Sequence, residues 1–453
     1  MGKIASVVLA AGKGTRMKSE TPKVLFPVAG KPMLQHIVNV LVETGIEDIY
    51  AVIGYGAEKV QAAIRGPITW VEQKEQLGTG HALAQAAKKL RGYDGDVLVL
   101  AGDTPLLTAA TLRDLIGEHM RDKNAATVLS ARVPQPAGYG RIVRGSNGSV
   151  IAIAEEKDAD SSLKKINEIN SGAYCFNWSK VESLLDRLST NNAQGEYYLT
   201  DVFSLLVLNG EKTGAFTVSD HREILGPNDR VQLAWAEKIM RQRICHSLMR
   251  QGVSIIDPST TWIDADAEVG VDTIIYPNTF IKGGTRIGED CLIGPNATID
   301  SCQLGDGVLV RYAVMEEATV GDGTTIGPFA YLRPGTHIGP RVKIGDFVEI
   351  KNSQIGEGSK VPHLAYVGDA QVGTNSNIGC GVITANYDGI KKNKTEIGDR
   401  VFIGSNTNLV APIKVEDGAY VAAGSTITRD VPAKALAIAR ARQTNKADWR
   451  KKD

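Results

Sequence analysis

From Gly252 onward an aliphatic residue returns at every sixth position: Ile263, Val269, Ile275, Ile281, Ile287, Ile293 and Ile299. A small residue stands two places before most of them, as Ala267, Thr273, Thr279, Thr285, Cys291 and Ala297. The register slips by one at Leu304, loosens to Val320, and resumes through Ile326, Leu332, Ile338, Ile344 and Ile350. It slips again at Ile355 and Val372 and closes with Ile397, Ile403, Leu409, Val415, Val421 and Ile427. A period of six fits neither an α-helix nor an alternating strand. It predicts a parallel β-helix with flat sides, one hexad per side, aliphatics stacked inside and glycine at the corners. Such a repeat is chemically silent, so function must come from what interrupts it. The main interruption separates Ile378 from Ile397, nineteen residues apart, and carries Asn386, Tyr387, Lys391, Lys392 and Lys394.

The other half has a different rhythm. From Ile4 to about Gly226 short apolar runs alternate with helical stretches (IASVVLAA, MLQHIVNVLVETG, DIYAVIG, HALAQAAKKL, DVLVLAGD). This predicts βαβ units and a mostly parallel sheet that binds ligands at the carboxyl ends of its strands. Asn228 to Met249 reads as one amphipathic helix with Val231, Trp235, Ile239, Ile244 and Leu248 on its apolar side. The expected divisions are a nucleotide-binding domain over 1–227, a linker helix over 228–250, the β-helix over 251–436 and a tail over 437–453. The 51 basic and 51 acidic side chains cancel, which argues against nucleic acid and membranes as partners and makes any phosphate recognition local. Five cysteines, Cys175, Cys245, Cys291, Cys302 and Cys380, form no C-x-x-C pair and read as reduced and buried. The first apolar run is far too short to span a bilayer and passes straight into a glycine loop, so a cytoplasmic protein is expected.

That loop, LAAGKGTRM, sets Gly12 and Gly14 just past the first strand, with Lys13, Arg16 and, beyond Thr21-Pro22, Lys23 close behind. Glycines let backbone N–H groups curl round phosphate oxygens, and the cations can neutralise a triphosphate. The third glycine of a dinucleotide fingerprint is missing, and the order is not that of a Walker loop. VLVLAGDTP ends a strand on Asp103, a candidate Mg²⁺ ligand or equally a turn cap. Asn228 in GPNDR is a second oxygen, or simply a turn residue. In the repeat only His337 and His363 are histidines. His363, in KVPHLAYVGD next to the inserted loop, is a coil-edge cap or a general base, since imidazole titrates near neutral pH.

Taken together, LAAGKGTRM with TPK, EQLGTGHA, AGD, GYGRI, EEKDA, EINSG and NNAQGEYYLTD resemble the sugar-nucleotide pyrophosphorylases. With the β-helix and HLAYVGD, the whole chain is similar to the bacterial bifunctional N-acetylglucosamine-1-phosphate uridylyltransferases and glucosamine-1-phosphate acetyltransferases. The resemblance implies a Rossmann-like α/β nucleotidyltransferase followed by a left-handed parallel β-helix, a homotrimer with shared acetyl-transfer sites, and a product that feeds envelope synthesis. It implies that Leu9, Ala10, Ala11, Gly12, Arg16 and Lys23 hold UTP, that Gln73 and Gly78 read the uracil with Thr79 nearby, and that Asp103 and Asn228 bind Mg²⁺. Gly140, Glu155, Asn170 and Thr200 would contact the N-acetylglucosamine moiety.

In the second half the resemblance makes His363 the base, oriented by Glu349. Arg333, Lys351 and Tyr366 would grip the sugar phosphate, and Asn377, Asn386 and Tyr387 the sugar. Ser405, Ala423 and Arg440 would meet acetyl-CoA, as would Cys380, Asn386 and Tyr387, with Lys392 reaching in from the insertion. Pro227, Cys380, Val382 and Ala385 depart from the family pattern, and Cys380 falls near the expected coenzyme pocket. Two rivals remain: a single-function nucleotidyltransferase with a structural or regulatory β-helix, and a non-catalytic scaffold.

Overall fold

The computed structural model describes residues 3–450 and divides into two units, Met1–Met240 and Arg241–Asp453. The first is built on β1 (Ile4–Ala10), β2 (Ile49–Ile53), β3 (Ile68–Glu72), β4 (Asp96–Ala101), β5 (Ala126–Arg132), β6 (Glu168–Asn177) and β7 (Thr213–Thr217). Their spatial order is β7-β5-β6-β4-β1-β2-β3. Strand β1 lies between β2 and β4, parallel to both. Its residues alternate between two cores, Ala5 and Val7 in one and Val8 and Ala10 in the other. An almost unbroken apolar run follows from burial on both faces. Helices α1 (Met33–Thr44), α2 (Thr79–Ala87) and α3 (Ala109–Asp122) come from the same alternating pattern.

The sheet is mostly parallel, as expected, but takes in antiparallel pairings. Strand β6 runs antiparallel to β4 and to β5, between them. The hairpin Arg141–Arg144/Val150–Ala154 lies on the path from β5 to β6, with no crossover helix. A parallel return would have needed such a crossover.

In the second unit the hexads form three parallel sheets of 11, 10 and 9 strands, each strand pairing with the one a full coil later. The interior positions are closed to solvent: Ile275, Ile293, Leu332, Ile344 and Ile350 are all 0% exposed. The small residue two places earlier is buried too, and several of the polar ones donate their hydroxyl to a backbone carbonyl, whereas the Thr395 hydroxyl is left without a partner among the described residues. Thr273 Oγ1 donates to Gly288 O at 2.9 Å, and Thr324 Oγ1 donates to Gly339 O at 2.9 Å. A buried hydroxyl so bonded avoids the cost of an unmade bond. The slips read from the sequence are real changes of coil length, as in Arg286↔Gln303 and Gln354↔Gln371.

The corners are less dependent on glycine than the sequence suggested. Left-handed backbone is carried by Asn278, Asn296 and Asn406, and also by Tyr312, Phe329, Phe347 and Leu364. Asparagine accepts that conformation readily. The bulky residues form an exposed column, with Tyr312–Phe329 and Phe329–Phe347 ring centroids 5.5 and 5.3 Å apart. Their backbone conformation is held by the coil geometry around them.

Two further expectations need correction. Helix α4 (Arg230–Arg250) forms as expected, but Val231 and Trp235 are each 61% exposed. Its buried positions are Ala236 in the first unit and Arg241, Cys245 and Leu248 in the second. A stripe drawn through all five apolar residues therefore mixes two faces. Four of the five cysteines are buried and all are unpaired, but Cys380 is only half-buried. No helix among the described residues is long and apolar enough to cross a membrane.

Candidate active sites

The first site opens at the carboxyl ends of β1 and β4, as parallel-sheet geometry requires. Small-molecule pockets typically enclose about 300–1,000 Å³. The cavity here is ≈ 550 Å³. Its lining includes Leu9, Ala10, Ala11, Gly12, Arg16, Lys23, Gln73, Gly78, Thr79, Asp103 and Asn228, all expected from the sequence. Gly14 has φ +63, and a Cβ there would come within 2.5 Å of Lys23 Cβ. The glycine therefore lets Lys23 lie across the loop, which joins LAAGKGTRM to TPK physically. Lys23 Nζ pairs with Asp103 Oδ2 and donates to Asn228 Oδ1 at 2.9 Å. Arg16 Nη2 also donates to Asn228 Oδ1, at 2.9 Å. Pro227 has not displaced Asn228 from this cluster.

Gly140, Glu155, Asn170 and Thr200 are not among the cavity-lining residues, but two contacts tie them to its wall. Asn170 N–H donates to Gly140 O at 2.9 Å, and Asn170 Nδ2 donates to Tyr174 Oη at 2.8 Å, Tyr174 being a wall residue. Thr200 Oγ1 donates to Glu155 Oε1 at 3.0 Å, and the adjacent Leu199 lines the cavity. Burial lifts the Glu155 carboxyl above its ordinary range, with the Thr200 hydrogen bond opposing. Sequence reading missed Tyr174, Gln76 and Glu196 as wall residues. Glu196 lies within the quoted NNAQGEYYLTD, whereas Tyr174 looks like an ordinary strand aromatic.

Among the described residues no group of three or more His, Cys, Asp or Glu side chains gathers as a metal cage. The Asp103–Asn228 pair nonetheless suits Mg²⁺, which takes one or two protein oxygens together with phosphates and water. Both oxygens already converge on one positive charge, the Lys23 ammonium.

The second site lies in the other unit, on successive coils. Asp346 and His363 are register partners, and His363 Nδ1 is 2.5 Å from Asp346 Oδ1. The carboxyl of Asp346 is held below its usual range chiefly by this hydrogen bond. Glu349 does not touch the imidazole: it accepts from Arg333 Nη1 at 2.8 Å. The carboxylate in contact with the imidazole is therefore Asp346 and not the expected Glu349, because the register sets Asp346 beside His363 and Glu349 beside Tyr366.

Further along the same corner, the pairs Lys360↔Asn377, Asn377↔Phe402 and Phe402↔Tyr420 carry the register forward. His363, Cys380, Ser405 and Ala423 therefore occupy equivalent places on four coils. Lys351 is pulled below the ordinary lysine range, chiefly by contact with Lys392, then by desolvation, with Arg333 adding to the effect. Three cations thus crowd one place, which suits an anion. In the insertion, Tyr387 bridges Lys392, and Asp388 is lowered to about 2 by the Lys391 and Ile390 backbone N–H groups. Tyr366 and Asn386 adjoin, Asn386 Nδ2 lying 3.4 Å from Tyr366 Oη. Asn377 sits in the His363 sheet, and Arg440 stands exposed beside the last coils.

A nucleotide-sized cavity on a doubly covered sheet, and a basic site with an oriented histidine on a hexapeptide β-helix, define a two-site transferase. Residues 6–168 match the model of the MobA-like NTP transferase domain, 266–301 that of bacterial transferase hexapeptide (six repeats), and 314–415 that of the GMPPB C-terminal domain. The chain is 53% identical to a bifunctional protein GlmU of Geobacillus sp. (strain WCH70), over 99% of this chain and 98% of that one. It is 52% identical to its counterpart in Acetivibrio thermocellus (98% and 97% covered) and 51% identical to that of Brevibacillus brevis (100% and 98%). The chain belongs to the family of bifunctional GlmU proteins. It is a nucleotidyltransferase and an acetyltransferase, and its second unit is a left-handed parallel β-helix.

Proposed function

We infer that the chain makes a nucleotide sugar in two steps, each in its own unit. In the C-terminal unit acetyl-CoA acetylates the amine of glucosamine 1-phosphate. In the N-terminal unit the resulting N-acetylglucosamine 1-phosphate attacks the α-phosphorus of UTP, giving UDP-N-acetylglucosamine and pyrophosphate. The observation that carries this reading over a single-function nucleotidyltransferase is the assembled second site, with His363 oriented by Asp346 on the corner shared with Cys380, Ser405 and Ala423. Coils lie about 4.8 Å apart, so that column offers an extended ligand a track of roughly 14 Å. An acyl-pantetheine arm suits such a track, with its thioester near His363 and Arg440 toward the nucleotide end. Arg333, Lys351 and Lys392 supply charge for the sugar phosphate.

With Nδ1 held by Asp346, His363 offers Nε2 to take the proton that the attacking amine must lose. The thiolate leaves as coenzyme A, so no covalent enzyme intermediate is required. In the uridylyl site Arg16 and Lys23 bring positive charge to the triphosphate, while Gln73 and Gly78, which line the same cavity, would read the uracil. Mg²⁺ held by Asp103 and Asn228 would neutralise phosphate charge as pyrophosphate departs.

A homotrimer with shared acetyl-transfer sites is part of the same reading. Tyr312, Phe329, Phe347 and Leu364, 41–59% exposed in one column, form an apolar strip suited to another copy of the β-helix. A cytoplasmic location agrees with five unpaired cysteines. Supplying acetyl-CoA with glucosamine 1-phosphate, and separately UTP with N-acetylglucosamine 1-phosphate and Mg²⁺, should give both products by mass. Formation of only the nucleotide sugar would favour the single-function rival.

A further inference from the structure

Two residues of HLAYVGD, Gly368 and Asp369, have no part in the chemistry described so far. Asp369 Oδ1 accepts from Asn352 Nδ2 at 2.6 Å, and its Oδ2 accepts from Asn386 Nδ2 at 2.5 Å. An ionised carboxylate only accepts hydrogen bonds, so each amide must turn its nitrogen toward Asp369 and its oxygen away. Asn386 is only 7% exposed, so water is a poor substitute partner. Gly368 keeps the space for this arrangement: a Cβ there would meet Tyr366 Oη and lie 2.8 Å from Asn386 Nδ2.

We propose that Asp369 is a positioning residue for acetyl transfer, locking the Asn386 amide so that it presents only its carbonyl oxygen to the bound substrates. This rests on the acetyl-transfer reading of the site. An acceptor there selects an N–H donor, either the amine of the sugar or an amide of the pantetheine arm, and disfavours the thioester carbonyl. Gly368 serves the same end by leaving room for the locked amide.

The test follows from counting donors and acceptors. Asp369→Asn keeps the shape but can turn either its oxygen or its NH₂ group toward Asn386, since the exposed Asn352 amide can flip to match, so the Asn386 amide is no longer fixed in one orientation. kcat/KM for acetyl transfer should fall about tenfold, the scale of one hydrogen bond to a charged group. Asn352→Asp alone opposes two carboxylates and should also slow the reaction. Combined, the two changes let the carboxylate introduced at position 352 accept from the amide introduced at position 369, whose oxygen then turns back to Asn386. The double variant should therefore outperform Asp369→Asn several-fold. Gly368→Ala, which crowds Asn386 without touching the carboxylate, should lower kcat/KM as well. Uridylyl transfer and the thermal unfolding midpoint serve as controls for folding. Wild-type kinetics in Asp369→Asn, or a double variant no better than the worse single with folding intact, would overturn the proposal. Absence of acetylation in the unaltered enzyme would instead sink the acetyl-transfer reading on which it rests.

Discussion

Replacing Asp346 by Asn separates the corrected partner of His363 from the one the family resemblance suggested. The carboxylate is 2.5 Å from Nδ1, and both side chains are substantially exposed, 55% for His363 and 39% for Asp346. Solvent screens such a pair, so its charge contributes little to fold stability and the unfolding midpoint should hardly move. Its effect should be on the reaction, through the tautomer and the ring orientation. An amide at position 346 can donate to Nδ1 as easily as accept from it, and donation puts the imidazole proton on Nε2, where the base is needed. Losing the whole base typically costs about two to four orders of magnitude. Losing its bias alone should cost roughly tenfold in kcat, with KM values nearly unchanged. Glu349→Gln, which releases Arg333 from its ion pair, should act mainly on the KM for the sugar phosphate. Steady-state acetylation by the two variants, with His363→Ala as the lower bound, reads this directly. If Glu349→Gln lowers kcat tenfold while Asp346→Asn leaves it intact, the orienting role belongs to Glu349.

Other consequences are independent of that pair. Gly14→Ala should push Lys23 off the loop and raise the KM for UTP several-fold, with acetylation unaffected. Ile344→Ala, at a fully closed interior position, should destabilise the β-helix by about 2–5 kcal/mol in denaturant unfolding. Asp388, lowered to about 2 in the folded loop, adds stability to the insertion that is fully present above the usual carboxylate range and is lost as pH falls toward 2. A carboxyl-resonance titration should find it well below the other aspartates. Phe329→Asp, in the exposed aromatic column, should yield smaller species by sedimentation with uridylyl transfer retained.

Much of this architecture is legible because a six-residue period survives averaging: closed positions such as Ile275, Ile344 and Ile427 can be named from the repeat alone. The uridylyl site is legible for a related reason, since its loop follows β1 and Asp103 lies just past the end of β4 in adjacent parallel strands. Pairing across coils is harder. His363 and Asp346 are separated by 17 residues, one coil shortened by the slip at Ile355, so their pairing emerges only when the register is counted coil by coil, and Glu349, 14 residues from His363, is suggested by the family resemblance alone. That β6 is the strand running antiparallel is not legible, because direction leaves no mark on apolar alternation. Val231 and Trp235 depart from expectation because apolar residues on opposite faces of one helix can mimic a single stripe. Gly368 and Asp369 belong to a motif, but their purpose is visible only where Asn352 and Asn386 meet on one carboxylate.

The central claim is that one chain carries two independent transferase sites. The most direct measurement assays Asp103→Ala and His363→Ala for both half-reactions, each supplied with its own substrates and read by product mass. Asp103→Ala should lose nearly all uridylyl transfer and acetylate at the wild-type rate, and His363→Ala should do the reverse. Loss of both activities in either variant with its fold intact, or retention of both, would contradict the account.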